Sequence, residues 1–271
     1  MALFGRTGDI WTLVLAHENL GFTLYKQGKL GLALAQFNRG LELSADVGDQ
    51  RGETVGHAFL ARVHAMQGDL NRARRHIAAA TTKVHALRDN SLRCGVRFSA
   101  AVVHLAAGLR DEAIACLEEC CTLVRENHLL QEYVASCEYT LAETLLGTSE
   151  QFRALSPADR ELAVGRARKL LPLADRLVRR FPAHAGPVLR VKGLLALRQG
   201  RKSRARALLR RSIERLKAMN MRHELVKAYQ VLAEAAGPER LEQVGAETMA
   251  HRLALEVGCS GDSLGGRIGA F

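Results

Sequence analysis

Apolar residues recur along this chain with helical spacing, and the whole pattern repeats about every 40 residues. The repeat places a glycine at Gly28, Gly68 and Gly108, 40 residues apart at each step, and Phe37 and Ile77 keep the same spacing. Within a repeat, the leucines fall on the facing sides of two helices, and the glycine stands where the first helix must turn. A fixed period of this length predicts a stack of helix pairs, in which each pair buries its apolar face against a neighbour.

The period divides residues 1–258 into about six predicted units, with residues 259–271 as a flexible tail. The units are 9–48, 49–88, 89–128, 129–182, 183–222 and 223–257. The step from Gly108 to Gly200 is two periods plus 12 residues, so the fourth unit carries an insertion, which we place in a loop at 147–160. Either Ser156 or Asp159 suits the cap of the helix that follows this loop, and Pro157 suits its first turn.

The small residues Gly21 and Ala33, the turn at Gly28 and the bulky Phe37 resemble the tetratricopeptide repeat, a helix-turn-helix unit with small residues at fixed places. The resemblance implies an all-α, right-handed superhelical solenoid of antiparallel helix pairs. The linkers carry Asp49 and Asp89 ahead of the next helix, where an aspartate or asparagine makes a reasonable N-cap. Linkers such as Gly48-Asp49 are similar to those of bacterial signalling regulators. The resemblance therefore implies a protein-binding scaffold or the sensory part of a regulator, and a protein that is not an enzyme.

In tetratricopeptide solenoids the first helix of each unit lines a concave groove, so the resemblance implies a protein or peptide partner in that groove. We predict partner-binding residues at Glu18, Phe22, Tyr25, Arg62, Phe98, Val102, Arg190 and Leu194. Exposed aromatic residues beside an arginine are frequent anchors of recognition. The alternative is that these aromatic side chains are buried between neighbouring units. A peptide-pheromone sensor, in which a ligand in the groove changes the superhelical pitch, is a further hypothesis.

Charge separates the second half of the chain from the first. The net charge is +11, and residues 160–222 contain 19 Lys/Arg against three acids. This excess predicts an anionic partner, with anion-binding residues at Arg204, Arg206, Arg210, Arg211 and Arg215. The partner would be nucleic acid, another anionic surface or an acidic protein. The alternative interpretation is that these arginines only solvate exposed helix faces.

Motifs for catalysis or cofactors are missing from the sequence. There is no phosphate-binding GxxxxGK[ST], no HExxH and no CxxC pair, so we predict no catalytic residue, cofactor or metal. No apolar run reaches the roughly 18 residues of a membrane span, and six cysteines in 271 residues do not form a disulfide framework. These features favour a cytoplasmic protein without a membrane partner.

The N-terminal end of the repeat pattern is cut short. Leu3 stands 40 residues before Leu43, so the pattern starts inside the last turn of a missing unit. Solenoids need a polar capping element at each end. We therefore expect one of two arrangements: the chain is a fragment of a longer protein, or Trp11, Leu13 and Leu15 are covered by a partner or by another copy of the chain. The last case would be self-association through the uncapped end.

Overall fold

The computed structural model describes residues 10–129, 131–132, 136–236 and 240–257. These residues form α-helices joined by short turns and contain no strand, so the predicted all-α helical-repeat fold is confirmed. None of their helices has the length and apolar character needed to cross a membrane. The chain forms two compact units, which divide between residues 129 and 130. The predicted tail at 259–271 lies outside the described residues.

Unit 1 is a stack of three helix pairs. Its helices have 17 residues each: α1 Ile10–Lys26, α2 Leu30–Asp46, α3 Gln50–Met66, α4 Leu70–Ala86, α5 Asn90–Ala106 and α6 Arg110–Glu126. Each helix packs against the one before it, and α3 also packs against α5. The first helices of the three pairs, α1, α3 and α5, are called the A helices of unit 1.

The turns of unit 1 follow the expectations from the sequence. Gly28, Gly68 and Gly108 have φ angles of 75°, 81° and 76°, in the left-handed region that glycine enters without a steric cost. Asp49 and Asp89 cap α3 and α5, because their carboxylates accept hydrogen bonds from the backbone N–H groups of the first turn. The 40-residue spacing therefore repeats both the helix ends and the helix starts.

In two helix pairs, α1 with α2 and α10 with α11, a small residue faces a large one across the interface. A β-carbon at Gly21 would lie 2.6 Å from the ring of Phe37, and a β-carbon at Gly193 would lie 2.8 Å from Leu209. Ala33, on the same helix as Phe37, is fully buried. The two helices approach this closely because the small side chains leave room for the large ones across the interface.

Unit 2 contains α7 Cys137–Leu146, α8 Ser149–Ala154, α9 Pro157–Arg180, α10 Ala185–Arg198, α11 Lys202–Ala218, α12 Arg222–Ala235 and α13 Arg240–Glu256. A 3₁₀ turn, Pro182–His184, joins α9 to α10. The pairs are α7 with α9, α10 with α11, and α12 with α13, and α10 also packs against α7 and α12. Ser156 caps α9 and Pro157 is in its first turn, as predicted.

The insertion at 147–160 differs from the predicted loop, because it contains the short helix α8. Thr148 and Gln151 form a reciprocal capping box at the start of this helix. Arg198 of α10 fixes the segment before it, donating hydrogen bonds to the carbonyl oxygens of Leu146 at 3.2 Å and Gly147 at 2.7 Å. A local cap and a distant arginine thus order a segment whose composition alone predicts a loop.

The close helix contact in unit 2 predicts opposite effects for two glycine substitutions. Gly193→Ala should destabilise the protein by about 1–3 kcal/mol, because the new methyl group would overlap Leu209. Gly165→Ala, inside α9 and with open space around it, should stabilise it by up to about 1 kcal/mol through helix propensity. Urea unfolding followed by circular dichroism measures both. Equal shifts in the same direction would contradict the packing argument.

Candidate interaction site

A row of alternating aromatic and cationic side chains crosses the three A helices of unit 1. The amine of Lys26 lies 4.2 Å from the ring centre of Phe22, and the rings of Phe22 and Phe59 are 5.4 Å apart. The guanidinium of Arg62 lies 4.8 Å from the centre of Phe59 and 4.6 Å from that of Phe98. We call these five residues the aromatic–cation ladder. Each cation–π contact contributes about 0.5–2 kcal/mol, so the ladder joins α1, α3 and α5.

The ladder is buried at one end and accessible at the other. Arg62 and Phe98 have exposed fractions of only 4% and 7%, whereas Phe22, Phe59 and Lys26 are half-buried. Arg62 donates hydrogen bonds to the hydroxyl oxygen of Ser99 at 2.7 Å and to the carbonyl oxygen of Gly95. The prediction that Arg62 and Phe98 present a partner-binding surface is therefore corrected, because both side chains are used to join α3 to α5.

The other predicted groove residues of unit 1 are partly accessible. Tyr25 is half-buried and packs with Phe22 against the apolar cluster around Phe37. Val102 is half-buried and packs against the cluster around Ala61. The accessible part of the predicted set is thus concentrated on α1 and at one position of α5.

Glu18 also lies on α1, and it is unusual for a carboxyl group. Its Oε1 atom is buried, and no hydrogen-bond partner lies near it in the structure. Burial and the nearby Asp49 raise the pKa of Glu18 to about 8, although Arg51 acts in the opposite direction. Near neutral pH this side chain is therefore mainly a neutral carboxylic acid, able to donate as well as accept a hydrogen bond.

Arg190 is fully buried in unit 2 and binds two carboxylates, which corrects its predicted role as a groove contact. It forms a two-bond pair with Glu143 of α7, in which its Nη2 donates at 2.9 Å. Its Nε donates to a carboxylate oxygen of Glu224 of α12 at 3.1 Å, and its Nη2 lies 2.9 Å from the same oxygen. Lys227 lies 3.7 Å from Glu143. Leu194, one turn along α10, is also buried, at 3% exposed, and belongs to the core of unit 2.

Burial alone would raise the pKa values of Glu143 and Glu224. Arg190 and Lys227 more than offset this effect and hold the pKa of Glu143 below its usual value and that of Glu224 at about 2. Both glutamates are therefore ionised at neutral pH, and Arg190 joins α7, α10 and α12 through charge-assisted hydrogen bonds.

The predicted anion-binding arginines of α11 point in different directions. Arg204 and Arg211 line a cleft beside α9 and α10. Arg206 is half-buried and donates a hydrogen bond to the carbonyl oxygen of Ala236. Arg210 and Arg215 are exposed and lie outside the cleft. The predicted set therefore divides into two cleft residues, one structural residue and two exposed residues.

At the start of unit 1, Trp11 and Leu15 are 59% and 56% exposed, and Leu13 is half-buried. Residues 1–9, which precede α1, lie outside the described residues. Self-association through this end stays a prediction.

Sequence reasoning missed several residues of both networks. Phe59 and Lys26 join the ladder, and Glu143 and Glu224 neutralise Arg190. The sequence contains one indication of these partners, namely an arginine on a predicted first helix. A buried guanidinium needs carboxylates, aromatic faces or carbonyl groups on the neighbouring helices.

The stacked helix pairs, with a glycine at the turn and small residues facing large ones, form a helical-repeat fold similar to that of tetratricopeptide repeats. Residues 54–79, which span most of α3 and the first half of α4, match the family described as tetratricopeptide repeat. The resemblance predicted from the sequence is therefore confirmed, whereas the Gly-Asp-linked subtype stays a prediction. The family suggests a role in protein interaction or as a scaffold, and its fold is typically non-catalytic.

Comparison with solved structures gives 25 similar chains. One is BtubC from P. vanneervenii, with 18% sequence identity and a TM-score of 0.55. The match covers 85% of this chain and 93% of BtubC. A search of curated proteins found no similar sequence. At this level of identity the likeness to BtubC shows a shared helical-repeat fold.

The raised pKa of Glu18 predicts a pH-dependent stability. A carboxyl group whose folded pKa is above its unfolded value stabilises the fold at low pH, and this contribution is lost as the pH rises from about 4.5 to about 8. The Glu18→Gln variant should not lose stability in this way as the pH rises, because glutamine does not ionise. Its stability relative to the wild type should therefore increase over this window, by at most about 1.4 kcal/mol per pH unit. Urea unfolding at pH 5, 6.5 and 8 measures it, with the exposed Glu112→Gln as control. A constant difference for Glu18→Gln would contradict the burial of its carboxyl group.

The carboxylates around Arg190 predict a large cost for removing its charge. Arg190→Met should destabilise the protein by about 3–5 kcal/mol, because it leaves Glu143 and Glu224 buried with Lys227 as the one remaining nearby cation among the described residues. Adding Glu143→Gln, which leaves Lys227 and Glu224 as a pair, should recover most of the loss. Guanidinium unfolding of the single and double variants measures both effects. A double variant as unstable as the single one would show that packing, rather than charge, is responsible.

Proposed function

We propose that this chain is a non-enzymatic protein-interaction module whose partner lies along the A helices of unit 1. The observation that carries the proposal is the aromatic–cation ladder, which crosses all three A helices and leaves Phe22 and Phe59 partly accessible. Aromatic side chains of this kind supply the largest share of binding energy at protein interfaces.

The ladder also lowers the cost of binding. Phe59 stacks on the buried Phe37 with ring centres 4.9 Å apart and nearly parallel rings, so its position is fixed before a partner arrives. Arg62 holds the opposite edge through Ser99 and Phe98. Because these side chains lose little freedom on binding, a partner segment with an apolar side chain over Phe22 would gain affinity from contacts that are already ordered.

We also propose a setting for this module, namely the cytoplasmic interaction or sensory part of a bacterial signalling or transcription regulator. The Asp-capped linkers at Asp49 and Asp89, which resemble those of such regulators, support this placement. Among the residues that the structure describes, no cysteine forms a disulfide, which supports a reducing compartment.

The proposal predicts that binding depends on Phe22 and Tyr25. A photo-crosslinking residue at position 25 would first capture and identify the partner in cells of the source organism. With the purified partner, Phe22→Ala combined with Tyr25→Ala should weaken binding by about tenfold or more, since both substitutions remove aromatic contact area. Isothermal titration calorimetry measures the affinity.

Leu32→Ala is the matched control, because Leu32 is 57% exposed but lies on α2, the second helix of its pair. Its affinity should stay within about twofold of wild type. Circular dichroism confirms that each variant is folded. Wild-type affinity in the folded Phe22→Ala, Tyr25→Ala variant would refute binding along the A helices.

A further inference from the structure

Unit 2 contains a cleft on the side formed by α9, α10 and α11. Its volume is about 640 Å³, and it lies between α9 and α11, above one face of α10. The apolar part of its lining consists of Leu171, Pro172, Leu189, Leu195, Ala196 and Leu208. The cleft is separate from the aromatic–cation ladder, which belongs entirely to unit 1.

The rim of this cleft is strongly basic. Five cationic side chains line it, against the single acid Asp175: Arg168, Lys192, Arg201, Arg204 and Arg211. Lys192 is neutralised, because its amine lies 2.6 Å from both carboxylate oxygens of Asp175. The four arginines form no ion pair or hydrogen bond through their side chains with any residue that the structure describes. The cleft thus presents uncompensated positive charge around an apolar floor.

The spacing of the arginines fits a helical partner. Arg204 and Arg211 are seven residues apart on α11, which places them two helical turns, about 10 Å, apart. Leu208 lies between them and faces the cleft. A second helix beside α11 has the same two-turn spacing between carboxylates at positions i and i+7, with apolar residues at i+3 and i+4 between them. Arg168 on α9 would meet carboxylates on the opposite side.

We propose that this cleft binds an acidic amphipathic helix of a protein partner. The apolar face of that helix would cover the leucines, and its Asp or Glu side chains would pair with Arg168, Arg204 and Arg211. Nucleic acid fits the same surface less well. None of the described residues that line the cleft is aromatic, so bases would find no stacking platform, and the leucine floor would stay uncovered.

A designed peptide tests the proposal with the full chain. The probe is a fluorescein-labelled peptide of about 16 residues, built from leucine, glutamate and alanine so that the leucines lie on one helical face. Fluorescence anisotropy should show binding that weakens as the salt concentration rises. Arg168→Glu combined with Arg204→Glu should weaken binding by about tenfold or more, because both substitutions replace attraction with repulsion on opposite sides of the cleft.

The matched control is Arg179→Glu combined with Arg215→Glu. It makes the same charge change on the same two helices, but outside the cleft, and should alter the affinity by no more than about twofold. Two competitors separate the classes of ligand. A peptide of the same composition with scrambled leucines, and single-stranded DNA of equal charge, should each compete about tenfold less well than the probe.

Three results would overturn the proposal. One is the absence of binding to wild-type protein. The second is equal competition by the scrambled peptide or by DNA, which would indicate a general polyanion surface. The third is an equal loss of affinity in the two double variants, with circular dichroism showing that both are folded, because the position of the arginines would then be irrelevant.

Discussion

Close packing between helices is the constraint on which the rest of this structure depends. At Gly21 and Gly193 the space for a β-carbon is already filled by Phe37 and Leu209 of the paired helix. The pairs also stack, so that the first helices of neighbouring pairs pack against each other and their side chains touch. The ladder of unit 1 and the carboxylate–arginine network of unit 2 both rest on this packing, since each is built from first helices.

Two arginines on first helices show how the same packing problem has two chemical solutions. Arg62 is buried between two phenylalanine rings and donates hydrogen bonds to a hydroxyl and a carbonyl group. Arg190 is buried between two glutamates and forms ion pairs with both. A buried guanidinium is tolerated only when its donors are satisfied. These side chains therefore join helices, and the surfaces open to a partner lie beside them.

The sequence predicts the elements of this fold better than its surfaces. The period places the turn glycines at positive φ and the aspartate caps at Asp49 and Asp89, because both depend on local backbone geometry. The burial of Arg190 depends on Glu143, 47 residues earlier, and on Glu224, 34 residues later. Neither separation is a multiple of the repeat, so the period carries no signal for the network. The repeat period does not predict helix α8 for a similar reason. The segment before this helix is fixed by Arg198, which lies on α10, far away in the sequence.

Whether a charged side chain is already paired within the fold determines how much binding energy it can contribute to a complex with a partner. The charges of Arg190, Glu143 and Glu224 are already paired within the fold, so a partner that displaced them would have to replace strong internal bonds. The cleft arginines Arg168 and Arg204 have no such bonds, so an acidic partner gains attraction without breaking any. The ladder is intermediate, because Phe22 and Phe59, two of the rings on which its cations rest, remain partly accessible. Recognition by unit 1 should therefore depend mainly on apolar contact, and recognition by the cleft on charge arranged around an apolar core.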